Sequence, residues 1–335
     1  MKHLLLFLSM VLPATFASAQ RLHSPAELIE IMQESRMAYV IEMTERQVAD
    51  AQRGPANTEF TRQILKDNRV KIEDYPVDDE VVEFLNAGAE LLEAGDLEAA
   101  RSKYMELHEK HPDFSVPMTY IGLTYTRQEF YSEAEIWFEK AVEANYMDYL
   151  AHWWRAENYL LAKELGHAAS EIALAWVLNR NHEALPEAVQ RIFKAAKLKF
   201  QPMDFEPNYR LQNAGNEVRM TFSEDWMMYA VCKALWRYEP GYRKKMGGGD
   251  PEFNLMEEKE CLLNLLLAHH KTNGKKKSKL KSVNILQRAV DGQFINEYIF
   301  FEVWLPQEPL IIFAQPRAAV ELMAKYLIEI RGKKK

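Results

Sequence analysis

An all-α fold is what this sequence predicts: a solenoid of stacked helical hairpins, a capping helix on each side, and a mainly helical C-terminal unit. Three observations predict it. Residues 81–182 hold one 34-residue pattern three times without a gap, starting at Val81, Ser115 and Tyr149. Within each copy, small residues recur where two helix backbones must approach: Gly88, Gly122 and Ala156 at the eighth position, Ala100, Ala134 and Ala168 at the twentieth. The flanking segments carry apolar residues at helical spacing.

Large residues fill the space beside the small ones. The fourth position holds Phe84, Met118 and His152, and the eleventh Leu91, Tyr125 and Tyr159. The twenty-fourth holds Tyr104, Phe138 and Ile172, and the twenty-seventh Leu107, Ala141 and Ala175. Two antiparallel helices per copy satisfy this spacing. The pattern resembles the tetratricopeptide repeat (TPR) family, W-x2-L-G-x2-Y…A-x3-F…A-x4-P. Pro112 matches the closing proline of the first copy, whereas Tyr146 and Arg180 depart from it. His152 and Arg155 replace large apolar residues in the third copy. The resemblance covers about a third of the chain.

The rest divides as follows. Residues 1–19 read as a secretory signal peptide: Lys2 and His3, an apolar run from Leu4 to Leu12, then Pro13 and Ala17-Ser18-Ala19 before Gln20. The expectation is an exported protein, periplasmic or extracellular, with no transmembrane segment in the mature chain. Residues 20–80 are an N-terminal helix and a polar linker. Ser24-Pro25-Ala26-Glu27 is a capping box, and helical spacing runs on towards residue 50. Gly54-Pro55 and Tyr75-Pro76 punctuate the linker. The repeats occupy 81–114, 115–148 and 149–182, and residues 183–200 form a cap.

Residues 201–335 are expected to form one mainly helical domain. Val218, Met220 and Phe222 alternate with polar residues, as one short strand near 218–222 would. Helices follow at 223–238, 253–270, 283–290 and 317–330, with an aromatic stretch at 294–305 that fits helix or strand. The helix through Leu262, Leu263, Leu265, Leu266 and Leu267 is apolar on more than one face and should be central.

No catalytic constellation or metal-ligand spacing emerges, and no cofactor is expected. His269 and His270 are adjacent, so they point apart. Glu257-Glu258 reads as a charged helix start, the lysines of 271–281 as a solvated loop. Cys232 and Cys261 fit either a disulfide or two buried thiols. A formal charge of −7 argues against nucleic acid as partner.

The TPR resemblance implies that the first helix of each hairpin lines a concave face. On this chain that face carries Leu85, Ala89 and Leu92, then Thr119, Leu123 and Arg127, then Trp153, Glu157 and Leu160. A mostly apolar groove with a tryptophan anchor fits a protein or peptide segment. The lysine and asparagine with which chaperone-binding members grip a carboxylate are missing from it. The function expected is a non-catalytic exported adaptor or scaffold in an envelope complex. The alternatives are a groove filled by the protein's own ends, and an enzyme with its chemistry in 201–335.

Overall fold

The structure, a computed structural model, describes residues 21–48, 54, 58, 60–66, 69–250, 252–273 and 278–334. The leader expected at 1–19 lies outside the described residues. The chain forms two compact units, each from two stretches: residues 1–52 with 203–299, and 53–202 with 300–335. The expected segments 20–80 and 201–335 are therefore each divided between the two units. Residues 300–335 fold with the repeats, and residues 203–299 fold with the N-terminus.

Helix α1 (Pro25–Glu34) begins at the capping box: Glu27 N donates to Ser24 Oγ and Ser24 N to a Glu27 carboxylate oxygen. It then stops, where helical spacing in the sequence suggested it would continue. Ser35 turns extended, and residues Ala38–Met43 form strand β1. Tyr39, Val40 and Ile41 favour a pleated backbone once a partner strand exists. That partner lies about 180 residues away, which is why local periodicity misled.

The linker also contains structure. Strands β2 (Thr61–Lys66) and β3 (Arg69–Asp74) make an antiparallel hairpin. Arg62 ties it to Glu73 (3.0 Å) and to Asp113 (3.1 Å). Asn145 donates to the Thr61 carbonyl, and Gln63 to the carbonyls of Phe313 and Gln315. Tyr75 stacks on Phe114 at 4.2 Å.

The three hairpins follow in the predicted register. They are α2 (Asp79–Glu93) with α3 (Leu97–Lys110), α4 (Ser115–Arg127) with α5 (Tyr131–Ala144), and α6 (Tyr149–Leu161) with α7 (Leu165–Leu178). Asp78, Asp96 and Asp148 cap α2, α3 and α6 with their carboxylates. Each turn inside a hairpin needs one left-handed residue, at the same repeat position: Gly95 (φ 82°), Glu129 (φ 67°) and Lys163 (φ 67°). The second and third copies hold that conformation without glycine.

The eighth-position glycines are required by contact. A Cβ on Gly88 would lie 2.5 Å from Cζ of Tyr104, and one on Gly122 would lie 2.9 Å from Phe138. Both rings are fully buried, so neither can step aside. Gly88→Ala is expected to lower unfolding free energy by about 1–3 kcal/mol. Gly166→Ala, on α7 with nothing near its Cβ, should change it by less than about 1 kcal/mol and in the stabilising direction. Urea titration of the pair checks this; equal effects would remove the packing argument.

Helix α8 (Leu185–Ala195) packs on α7 as the predicted cap, with Leu185, Val189, Ile192 and Phe193 buried. Strand β4 (Leu198–Phe200) follows. In the other unit, β5 (Tyr209–Ala214) and β6 (Glu217–Phe222) complete a three-stranded sheet in the order β1-β6-β5. Strand β6 is the one the alternation marked, and its Val218, Met220 and Phe222 are buried. Helix α9 (Met227–Tyr238) packs against β5 and β6, followed by the short α10 (Tyr242–Lys245). Helix α11 (Leu255–Asn273) packs on α9 and takes in the first residues of the lysine run. Helices α12 (Lys281–Asp291) and α13 (Ile295–Tyr298) end that unit.

The ambiguous aromatic stretch is helical, continuing as a π-helical turn over Ile299–Trp304. Helix α14 (Arg317–Tyr326) then packs on α7, and β7 (Gly332–Lys334) pairs with β4. The described residues are thus mainly helical with three small sheets, where an all-α fold with one short strand was expected. Strand partners distant in sequence account for the difference.

Candidate functional site

Helices α2, α4 and α6, the first of each hairpin, place the predicted groove residues side by side. They do not share one exposure. Leu85, Ala89, Trp153, Glu157 and Leu160 are half-buried, and Arg127 is exposed. Leu92, Thr119 and Leu123 are buried, at 6, 1 and 4%. Leu92 and Leu123 belong to one apolar cluster with Ile121, Leu85 and Trp154, so they hold the hairpins together. Thr119 Oγ1 returns its proton to the Ser115 carbonyl. The middle of the predicted face is therefore core, and its accessible apolar residues lie towards the ends: Val82 at 43% and Leu161 at 49%.

At the third copy Trp153 stands in an aromatic group. It stacks on Trp154 with 12° between the ring planes and meets the edge of His182 at 5.3 Å. Tyr149 touches the same imidazole. Glu157 is engaged by Arg191 and lies 3.4 Å from the Trp153 indole nitrogen. Arg127 donates to the Leu92 carbonyl.

The two residues that break the family pattern belong together. The buried His152 places Nδ1 2.6 Å from Glu171 and Nε2 3.0 Å from the Tyr146 carbonyl. Arg155 bridges Glu171 (3.3 Å) and Glu135. Burial acts to raise the Glu171 pKa, but the His152 hydrogen bond and the charges of His152 and Arg155 outweigh it and hold the carboxyl below 4.5. Polar pairing here replaces the apolar seam of the other copies.

His182 accepts a hydrogen bond from Ala184 N on Nδ1. Burial holds its pKa below 6.5, against the charge of Glu183. The folded ring therefore favours the neutral form, and the unfolded chain binds a proton first as pH falls. Its contribution to stability is complete above pH 6.5 and is lost as pH falls through the native value. The His182 ring resonance should titrate below 6.5, and His182→Phe should flatten the stability loss on acidification. A titration midpoint above 6.5 would contradict the assignment.

A second concentration of chemistry lies between α9 and α11, where sequence reading placed only core and a charged helix start. Lys233 is buried and pairs with Glu257 (2.9 Å) and Glu258, both also buried. Burial acts to lower the Lys233 pKa, but Glu258 first and then its other neighbours, Glu257 among them, raise it well above the usual lysine value. Arg243 reaches the second oxygen of Glu257, and Tyr229 donates to Glu258.

Glu260, fully buried, accepts from Trp236 Nε1 (2.6 Å), Tyr242 Oη (2.9 Å) and the backbone N of His23 (2.7 Å). Asn264 donates to the His23 carbonyl, so these two side chains fix the segment before α1. The available signal was Lys233 inside the otherwise apolar run from Met227 to Trp236, and the carboxylates at positions 257 and 260 of α11.

Cys232 and Cys261 are both free and buried in this structure. His269, also buried, bonds the Asp225 carbonyl and Ser278. Among the described residues no group of three or more His, Cys, Asp or Glu is placed to hold a metal, and no helix is long and apolar enough to cross a membrane.

A scan against protein-family models finds no match, and a search of curated proteins finds none. Among solved structures, the first TPR of Spaghetti (RPAP3) bound to the HSP90 peptide SRMEEVD aligns with 36% of this chain and 96% of its own. The identity is 20% and the TM-score 0.32. The repeat block itself, six helices at a 34-residue period with small residues at the close approaches, is TPR-like.

Proposed function

We propose that this protein is a non-catalytic exported adaptor that binds a protein or peptide segment on the first-helix face of its repeats, within an envelope assembly. One observation carries the reading. The C-terminal segment packs on α7, a second helix, and on the first helices Val82 and Leu161 stay exposed at 43 and 49%. The leader-like pattern at 1–19 supports export.

The buried centre moves the binding residues to the ends of the face. Val82, Leu85, Trp153 and Leu161 are the contacts, with Arg127 between them. Burying one leucine-sized ligand side chain against them contributes roughly 1.5–3 kcal/mol. Val82→Asp with Leu161→Asp is expected to abolish capture of the partner by crosslinking from position 153 in cells. The thermal transition should stay within a few degrees, because both residues are exposed. Undiminished capture with those two changes would sink the reading.

A further inference from the structure

We infer that Cys232 and Cys261 form a disulfide site that closes between α9 and α11 as the chain folds under oxidising conditions. They are the only cysteines in the sequence, so their pairing is unambiguous. The register of the two helices places them opposite each other. His269 Nε2 lies 3.0 Å from the Asp225 carbonyl, about two helical turns from each cysteine on one side. On the other side, Lys233, the residue after Cys232, meets Glu257 at 2.9 Å, and Trp236 meets Glu260, the residue before Cys261, at 2.6 Å. The helices therefore run antiparallel, and the two cysteines face each other beside the Lys233 end of a seam fixed at both ends.

Cys232 Sγ is 3.9 Å from a carboxylate oxygen of Glu260, the residue before Cys261. Both cysteines are fully buried, in a seam pinned by a buried carboxylate that also holds His23.

The chemistry is thiol–disulfide exchange with a small disulfide such as oxidised glutathione. One cysteine thiolate attacks a glutathione sulfur and expels one glutathione thiolate, giving a mixed disulfide. The second cysteine thiolate attacks the protein sulfur of that mixed disulfide and expels the other. Two cysteine protons pass to the two glutathione thiolates, and the electron pair leaves with them. Burial raises the pKa of both thiols in the folded chain, which places the exchange before the seam closes. An exported chain meets such an oxidant as it folds. The site itself does not depend on that compartment.

The test uses the full chain, denatured and reduced, then refolded with reduced glutathione alone or with a mixture of reduced and oxidised glutathione. In the mixture the intact mass should fall by about 2 Da, and a peptide map should join the fragments carrying Cys232 and Cys261. The melting temperature should rise by about 5–10 °C over the reduced protein. Cys232→Ala and Cys261→Ala should each lose that redox-dependent rise. Two free thiols after folding in the mixture, two glutathione adducts, or a joined form that melts lower than the reduced one would each overturn the proposal. Mass and map on the unaltered chain decide the matter even where a variant folds poorly.

Discussion

Glu302→Ala is expected to lower the unfolding free energy by about 3–5 kcal/mol, as removal of one member of a buried charge set does. Glu302 is buried with two guanidiniums about it: Arg331 on one carboxylate oxygen and Arg180 at 3.5 Å from the other. Tyr326 Oη donates to the same carboxylate at 2.9 Å. Arg331 also donates to the Gln201 carbonyl, and Arg180 to that of Phe301. Aromatic faces help solvate the cations, with Arg180 over Trp176 and Phe301, and Arg331 over Trp176 and Phe200. Without the carboxylate, two positive charges remain buried and lack the counter-charge of Glu302.

The cluster joins residues 301–331 to the end of the third hairpin, so the loss should appear as earlier release of the C-terminal segment. Hydrogen exchange across α14 and urea titration read both effects. Replacing Arg180, Glu302 and Arg331 together by apolar residues should recover most of the stability. A single Glu302→Ala variant within about 1 kcal/mol of the parent would show that water reaches the site.

Lys233→Met should be nearly as costly, about 3–5 kcal/mol, in the other unit. It keeps the length of the side chain and strands two buried carboxylates, Glu257 and Glu258. Arg243 remains beside Glu257, but Glu258 keeps only neutral donors such as Tyr229. Urea titration of the variant against the parent reads the loss.

The repeats were legible because their information is local and redundant. Gly88, Gly122, Ala100 and Ala134 each mark a close approach in a fixed register, and the helix bounds follow within a few residues. Strand β6 was legible from alternation for the same reason. Strand β1 was not, since Tyr39-Val40-Ile41 fits a helix until β6 is brought beside it. The hairpin at 61–74 was hidden by its polarity: Arg62 and Gln63 face acceptors supplied by Asp113, Phe313 and Gln315, which no window on the sequence contains.

For the groove residues the structure shows exposure alone. Repeat position places a residue on the first-helix face, but exposure depends on how closely α4 packs between its neighbours, and that buried Thr119 and Leu123. The α9–α11 charge seam was missed because each carboxylate looks like a solvated helix start until its partner is known.

The interleaving of the two units has a consequence for synthesis. Each is made of an early and a late stretch of chain, so neither can be completed by the residues that begin it. The three hairpins can form as they emerge, since their contacts are short in sequence. Their outer surface on α7 must then wait for α14 and β7. At about 5–20 residues per second that wait lasts roughly 7–27 s after Pro202 is made. During it Trp176 and Phe200 lack Phe301 and Arg331. A message truncated before residue 300 would release a chain whose repeats are formed but whose back is uncovered. Quality control should single out such a product, and holding chaperones should bind it at α7.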